Sequence, residues 1–314
     1  MGEGIAVSEL SILVVGRTER SEFRDALAPL AGRGSVAAVP DPASAAALLA
    51  EGEPAVDLIV IAQSHPGEFS AEAVDRLRGL APLARIVALL GSWCEGETRT
   101  GRPWPGVIRV YWHQWPARAG QELDRLRAGV RSSWALPSTA SEEERLLAFS
   151  DEPWPKREGL IGIVSRGFES QDWMAAACRR IGCQTVWLCP PSLPVPAQVA
   201  AILFDATDAQ GEELRQLRSL AGSGPPAPIL VLMDFPRAED RDRVLAVGAR
   251  AVLSKPFLVE DLFWHLDRVL AAEPPNPEGS TAGGTGVSPV LGSKHGQDAR
   301  ATLPPIIAGS PPPR

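Results

Sequence analysis

Short apolar runs rich in β-branched residues alternate with longer amphipathic segments, and this alternation occurs twice along the 314-residue chain. Apolar runs this short predict strands that are buried on both faces. Apolar residues at helical spacing between the runs predict helices that pack one face on a sheet. Strands that alternate with helices imply right-handed crossovers and a parallel sheet covered on both faces. The sequence therefore predicts two doubly wound, five-stranded α/β domains.

The ends of the alternation set the predicted domain limits. We expect an N-terminal extension over residues 1–10, a first domain over 11–130, a linker over 131–158 and a second domain over 159–272. Residues 273–314 are rich in Pro, Gly, Ser and Thr and have no periodic apolar pattern, which predicts a disordered tail. Trp134 and Trp154 of the linker are expected to dock on the domains.

Each predicted domain contains five strands and four helices. In the first, strands are predicted at residues 12–15, 36–39, 57–62, 86–90 and 107–112, and helices at 18–30, 42–49, 70–80 and 116–130. In the second, strands are predicted at 160–164, 185–188, 199–204, 228–232 and 251–253, and helices at 168–181, 210–221, 236–247 and 258–271. Thr18 is the predicted N-cap of the first helix.

Composition excludes several classes of protein. A hydrophobic content of 45% is enough to build cores, so wholesale disorder is excluded. The net charge of −7 argues against a general binder of nucleic acid or of anionic membranes. No apolar run is long enough to span a membrane, and the N-terminus lacks a signal pattern, so we expect a cytoplasmic protein. Four cysteines in so long a chain do not predict a disulfide framework.

Two charged residues stand at strand ends in the second domain. Asp205 ends the third predicted strand, and Lys255 follows the fifth, within Ser254-Lys255-Pro256-Phe257. Ligands of open α/β sheets bind beyond the carboxyl ends of the strands. We expect Asp205 and Lys255 to meet there from neighbouring strands, where the ammonium can pair with the carboxylate or bind a phosphoryl group.

This combination resembles the receiver domain of two-component response regulators, over nearly all of the second domain. The resemblance implies a flavodoxin-like fold in which Asp205 stands at the position that accepts phosphate from a histidine kinase. It implies that Lys255 is the lysine that binds the phosphoryl group. The Lys-Pro-Phe sequence after the Gly-Ala turn at residues 248–249 is the more specific part of the match.

The second domain departs from the receiver pattern at the positions that make the switch work. The two acidic residues that hold Mg²⁺ in receivers are here Ser165 and Arg166, neither of which is a carboxylate ligand. The hydroxyl residue after the fourth strand is Met233, and the aromatic switch position is Val252. We therefore expect no resident metal and no cofactor, although the neighbouring Asp234 is a conceivable substitute ligand.

The first domain resembles a receiver in topology only. Its acceptor position falls at Ala62 or Gln63, and its Lys-Pro position reads Trp115-Pro116. Since neither candidate acceptor is a carboxylate, we expect this domain to be inert toward phosphorylation.

An aromatic segment, residues 92–115, replaces the fourth helix of the first domain and runs through its fifth strand. Its notable residues are Trp93, Arg99, Arg102, Trp104, Tyr111, Trp112 and Trp115. Tryptophan and arginine are enriched at interaction hot spots, which predicts a binding surface. Two alternatives stay open: a structural loop whose indoles fill the core, and a catalytic site in which Cys94 and His113 act with Glu95 or Glu97.

The leading hypothesis from the sequence is a non-catalytic tandem pseudo-receiver that works as a protein-binding regulatory module in signal transduction. Its expected partner is a protein, such as a signalling kinase or regulator. The resemblance implies contacts through the aromatic segment and through residues 236–247 and 258–270 of the second domain. The alternatives are an atypical phosphoacceptor that uses Asp205 in a phosphorelay, and an enzyme that uses Cys94 and His113.

Overall fold

The computed structural model describes residues 9–52, 55–148, 154–189, 195–222 and 227–271. These residues all belong to one compact unit, so the predicted domain limits at the linker stay predictions. Most of the predicted N-terminal extension and all of the predicted tail lie outside the described residues. We call residues 9–130 the first lobe, residues 131–158 the linker and residues 159–271 the second lobe.

The first lobe is built on a parallel sheet of five strands in the order β2-β1-β3-β4-β5. The strands are β1 (Leu10–Val15), β2 (Gly34–Val39), β3 (Leu58–Gln63), β4 (Arg85–Leu90) and β5 (Ile108–Tyr111). The helices are α1 (Ser21–Leu27), α2 (Pro42–Ala50), α3 (Ala71–Leu80), α4 (Glu97–Thr100) and α5 (Trp115–Arg127). Strand β3 is buried along its whole length, which explains its uninterrupted apolar sequence.

The second lobe repeats this topology with the strand order β10-β9-β8-β6-β7. After α6 of the linker (Glu142–Leu147), its strands are β6 (Leu160–Val164), β7 (Gln184–Trp187), β8 (Val199–Ala206), β9 (Ile229–Asp234) and β10 (Ala251–Lys255). Its helices are α7 (Phe168–Arg180), α8 (Gly211–Gly222), α9 (Ala238–Ala246) and α10 (Val259–Ala271). The prediction of two five-stranded, doubly wound parallel sheets is confirmed.

Two local predictions in the first lobe are wrong. Helix α1 begins at Ser21 after Arg20, so Thr18 is not its N-cap, and Pro29 lies in a separate 3-10 turn. The segment between β4 and β5 was predicted as a loop without helix. It contains a 3-10 turn at Ser92–Cys94 and the single helical turn α4. By contrast, Asp41 and Ser70 accept backbone hydrogen bonds as the N-caps of α2 and α3.

The linker docks through its two tryptophans, as predicted. The Trp134 ring lies 5.7 Å from the Trp115 ring in the core of the first lobe. The Trp154 ring lies 5.2 Å from the Phe263 ring at the core of the second lobe. Edge-on and tilted aromatic contacts of this kind add to the burial of apolar area. The linker therefore has one tryptophan packed on each lobe.

The two lobes contact each other through α5 on one side and α9 and α10 on the other. At Gly120 of α5, a Cβ atom would lie 3.0 Å from the Trp264 ring of α10, so the helices pack closely there. The Nε atom of Arg118 lies 3.7 Å from an Asp261 oxygen, and the Arg241 guanidinium lies 5.2 Å from the centre of the Trp112 ring.

This contact corrects one expectation from the sequence. Residues 236–247 and 258–270 were expected to offer the second lobe's surface to a protein partner. The first lobe covers part of that surface, since Ala238 of α9 lies in the apolar core cluster of the first lobe and α10 packs on α5. These parts are therefore occupied within the chain itself.

Among the described helices, none is long and apolar enough to cross a membrane.

Candidate functional site

Asp205 and Lys255 meet at the carboxyl edge of the second sheet. The Lys255 Nζ atom lies 2.7 Å from Oδ1 of Asp205. The expectation that they come from neighbouring strands is wrong, because β9 lies between β8 and β10. The long lysine side chain spans the end of that strand, and this reach brings the two charges together.

Asp234 is a third member of the cluster. It ends β9, opposite Lys255 in the strand register, and its Oδ1 atom lies 2.9 Å from the lysine Nζ. Burial lowers the pKa of Lys255, but the hydrogen bonds and charges of Asp205 and Asp234 outweigh it and the net direction is upward. The Lys255 ammonium thus forms ion pairs with both Asp205 and Asp234.

Ser165 and Arg166 stand where the resemblance places an acidic pair, directly after β6. The Ser165 hydroxyl lies 2.8 Å from Oδ2 of Asp205 and 3.3 Å from the Gly167 amide, which donates to it. Arg166 pairs with the buried Glu213 at 3.5 Å. The remaining Glu213 oxygen accepts backbone hydrogen bonds from Thr207 and Asp208.

These contacts determine the chemistry of the edge. Both oxygens of Asp205 have partners, one an ammonium and the other a hydroxyl. Within the described ranges, no group of three or more His, Cys, Asp or Glu side chains is arranged to hold a metal ion. The role of Glu213 was not predicted from the sequence. Its place in the first turn of α8, where acidic side chains cap backbone amides, is the signal that could have found it.

The two switch positions lie in the core of the second lobe. Met233 is buried in an apolar cluster between the sheet and helices α8 and α9, and Val252 packs against the same cluster. Neither position supplies a hydroxyl group or an aromatic ring to the edge. The structure therefore places both residues where their side chains serve packing.

The corresponding edge of the first lobe holds a neutral amide. Gln63 ends β3, and its Nε2 atom donates to the Glu97 side chain at 3.3 Å and to the His65 carbonyl at 3.0 Å. Glu97 is buried and pairs with Arg109 at 2.8 Å. The Gln63 amide has no carboxylate oxygen to offer a phosphoryl group. Trp115, at the position of the receiver lysine, begins α5 and is buried in the core.

The aromatic segment is divided between core and surface. Trp104, Trp112 and Trp115 are only 8%, 1% and 0% exposed, so the expectation that they form an interaction surface is wrong. Their indoles fill the core, and the Trp104 ring nitrogen donates to the Phe69 carbonyl at 3.2 Å. Trp93 is 71% exposed, and Arg99 and Arg102 are exposed with it. Tyr111 is half-buried and stacks on His113.

Cys94 does not have the properties of a nucleophile. Its thiol is buried and donates to the Gln63 carbonyl at 3.4 Å. Burial, and next the charge of Glu97, raise the pKa of Cys94 to about 12. The thiolate that a cysteine enzyme needs is therefore scarce at neutral pH. The His113 ring contacts Glu95 at 3.6 Å.

Comparison with known proteins yields structural similarity without close sequence relatives. No protein-family model matches the chain, and no curated protein matches it. The non-phosphorylated HemR receiver domain from Leptospira biflexa is 18% identical, over 38% of this chain and 98% of that chain, with a TM-score of 0.34. A response regulator from Thermotoga maritima is 15% identical, over 37% and 100%, with a TM-score of 0.32.

A third similar structure is the signal receiver domain of a histidine kinase from Syntrophus aciditrophicus. It is 20% identical, over 40% of this chain and 97% of that chain, with a TM-score of 0.30. Identities this low concern the fold alone. Both sheets have the strand order of a doubly wound, flavodoxin-like α/β fold, and the predicted fold class is confirmed by that order.

Proposed function

We infer that this chain is a non-catalytic tandem pseudo-receiver that acts as a protein-binding regulatory module in signal transduction. The observation that carries the inference is that Ser165, a neutral residue, binds Oδ2 of Asp205 at the position where the resemblance places a metal-binding acidic residue. The ammonium of Lys255 lies between the carboxylates of Asp205 and Asp234. The edge where a receiver would bind a divalent cation is thus neutralised by the chain's own side chains.

This arrangement disfavours phosphoryl transfer. The reaction needs a metal ion to neutralise the charge that develops on the transferred group. Mg²⁺ binds through carboxylates and substrate oxygens, whereas Ser165 and Arg166 supply a hydroxyl and a second cation. Both Asp205 oxygens already have partners, the Lys255 ammonium at 2.7 Å and the Ser165 hydroxyl at 2.8 Å, so a metal ion would have to compete with them.

The exposed part of the aromatic segment is the surface we assign to the partner. Trp93 is largely exposed beside a chain segment that also carries the exposed Arg99 and Arg102. Residues of these types dominate the energies of protein interfaces. The second lobe has part of its own contact surface covered by α5, so the partner, a signalling kinase or regulator, binds through the first lobe.

Phosphorylation of the full chain tests this function. The protein is incubated with Mg²⁺ and a small acyl-phosphate donor, and its intact mass is measured together with that of Asp205→Asn. Asp208→Asn is the matched control, because Asp208 lies at the same edge and does not contact Lys255. We expect no phosphate on any of the three. Stoichiometric, hydroxylamine-labile phosphate that is lost only in Asp205→Asn would overturn the inference.

That outcome would favour the second candidate function, an atypical phosphoacceptor in a phosphorelay. The observation that supports it is the Asp205–Lys255 pair, which has the composition of a receiver's acceptor and phosphate lysine. The third hypothesis, an enzyme built on Cys94 and His113, is disfavoured by the buried, protonated thiol.

A further inference from the structure

A cleft of about 830 Å³ lies where the two lobes meet, at the C-terminal half of α10. Arg33 and Pro116 of the first lobe line one side of it. Arg250, Trp264 and Arg268 of the second lobe line the other. A volume of this size is within the range of small-molecule sites, which occur preferentially between domains.

The cleft is positively charged. Arg33 is fixed by a two-pronged ion pair with Asp124, at 2.8 and 3.0 Å, so its charge is compensated. Arg250 and Arg268 are exposed, and among the described residues no acidic side chain lines the cleft. Their charges thus stand uncompensated in a chain whose net charge is −7.

Arg268 is held in place for binding. Its guanidinium lies 4.7 Å from the centre of the Trp264 ring. An arginine that stacks on an aromatic face keeps the N–H groups in its own plane available to a planar or tetrahedral anion. The indole therefore positions the cation and leaves its donors free to bind.

We propose that this cleft binds a small organic phosphate whose phosphate groups lie at Arg250 and Arg268. Its non-polar part lies against Pro29, Pro116 and Ala251, which form the apolar wall. Arginine suits this ligand because its guanidinium matches phosphate oxygens in a two-pronged geometry. Since both lobes supply lining residues, the bound molecule contacts both and holds them together.

Isothermal titration of the full chain tests the proposal with ADP, pyrophosphate and adenosine as probes. We expect ADP to bind most tightly, pyrophosphate to bind more weakly and adenosine not to bind. Arg250→Ala and Arg268→Ala are each expected to weaken ADP binding about tenfold or more, because each removes hydrogen bonds between charged groups. Arg218→Ala, an exposed arginine on α8, is the matched control and leaves affinity unchanged.

A further measurement distinguishes the source of the phosphate. Vesicles of phosphatidylglycerol are expected not to bind, since the site lies within a cleft. The proposal is overturned if neither ADP nor pyrophosphate binds, if Arg218→Ala loses as much affinity as Arg268→Ala, or if vesicles bind while ADP does not.

Discussion

The hydroxyl of Ser165 lies 2.8 Å from Oδ2 of Asp205 and donates a hydrogen bond to it. Position 165 therefore contributes a neutral donor to Asp205, where the receiver resemblance would place a negatively charged residue. A donor at this place stabilises the carboxylate without a metal ion, whereas a second carboxylate would need a cation between them.

The first prediction reverses this substitution. Ser165→Asp combined with Arg166→Asp is expected to lower the unfolding temperature without Mg²⁺, because like charges then crowd Asp205. Adding Mg²⁺ is expected to restore it, since carboxylate oxygens are the ligands that Mg²⁺ prefers. Ser165→Ala, which loses about 1 kcal/mol with its hydrogen bond, is the control without a Mg²⁺ response. An equal Mg²⁺ response in the unmodified protein would contradict the assignment.

The second prediction concerns Lys255. Lys255→Met leaves Asp205 and Asp234 without their cation and is expected to lower the free energy of unfolding by about 2 kcal/mol. Since the pKa of Lys255 is raised in the folded protein, its stabilisation is full below the ordinary lysine value of 10.5 and is lost as the pH rises through the folded value. Urea unfolding on both sides of pH 10.5 measures this loss.

Lys156→Met is the control for that experiment. The Lys156 ammonium donates to the Arg180 carbonyl at 2.8 Å, so its removal leaves no pair of facing carboxylates. We expect a smaller loss of stability in this variant. Comparable losses in the two lysine variants would mean that the cluster at the sheet edge contributes nothing of its own.

The third prediction concerns stability in mild acid. Burial, and next the charge of Arg268, lower the pKa of His265 to about 4 from 6.5. The unfolded chain therefore binds a proton below pH 6.5 that the folded protein accepts only near pH 4. Because of His265, the free energy of unfolding is highest above pH 6.5 and declines by about 3 kcal/mol as the pH falls toward 4. Urea unfolding of His265→Gln should show a shallower decline over this range, and an unchanged slope would contradict it.

Sequence periodicity was sufficient to predict the two sheets, because buried parallel strands are apolar at nearly every position, as in β3. The Asp205–Lys255 pair was also predictable, since carboxyl ends of parallel strands share one edge. The ion pair between Asp234 and Lys255 was not predicted, because the sequence suggested Asp234 only as a substitute metal ligand. It depends on the strand register, which sets Asp234 opposite Lys255.

Long-range packing explains what the sequence did not reveal. Trp93 and Trp112 belong to the same aromatic segment, yet one is exposed and the other is buried, because β5 and α5 carry Trp112 and Trp115 into the core. The contact between the lobes was equally hidden. Nothing in the sequence around Gly120 indicates that the Trp264 ring packs closely against this position of α5.

The fourth prediction tests the contact between the lobes. Gly120→Val places a side chain where a Cβ atom alone would lie 3.0 Å from the Trp264 ring, so α5 and α10 are expected to separate. Small-angle scattering should then show a larger radius of gyration. Gly79→Val on α3 is the matched control, because nothing lies within 4 Å of a Cβ atom there. An unchanged radius in Gly120→Val would show that the contact can adapt.

The fifth prediction separates the surface and core tryptophans of the aromatic segment. Trp112→Ala removes a buried indole and the contact with Arg241, and it is expected to lower the free energy of unfolding by about 3 kcal/mol or more. Trp93→Ala removes an indole that is 71% exposed, so its effect is expected to stay within about 0.5 kcal/mol. Urea unfolding of both variants measures the difference. A large loss in Trp93→Ala would assign that indole to the fold and remove it from the proposed partner surface, because a residue kept for recognition contributes little to folding.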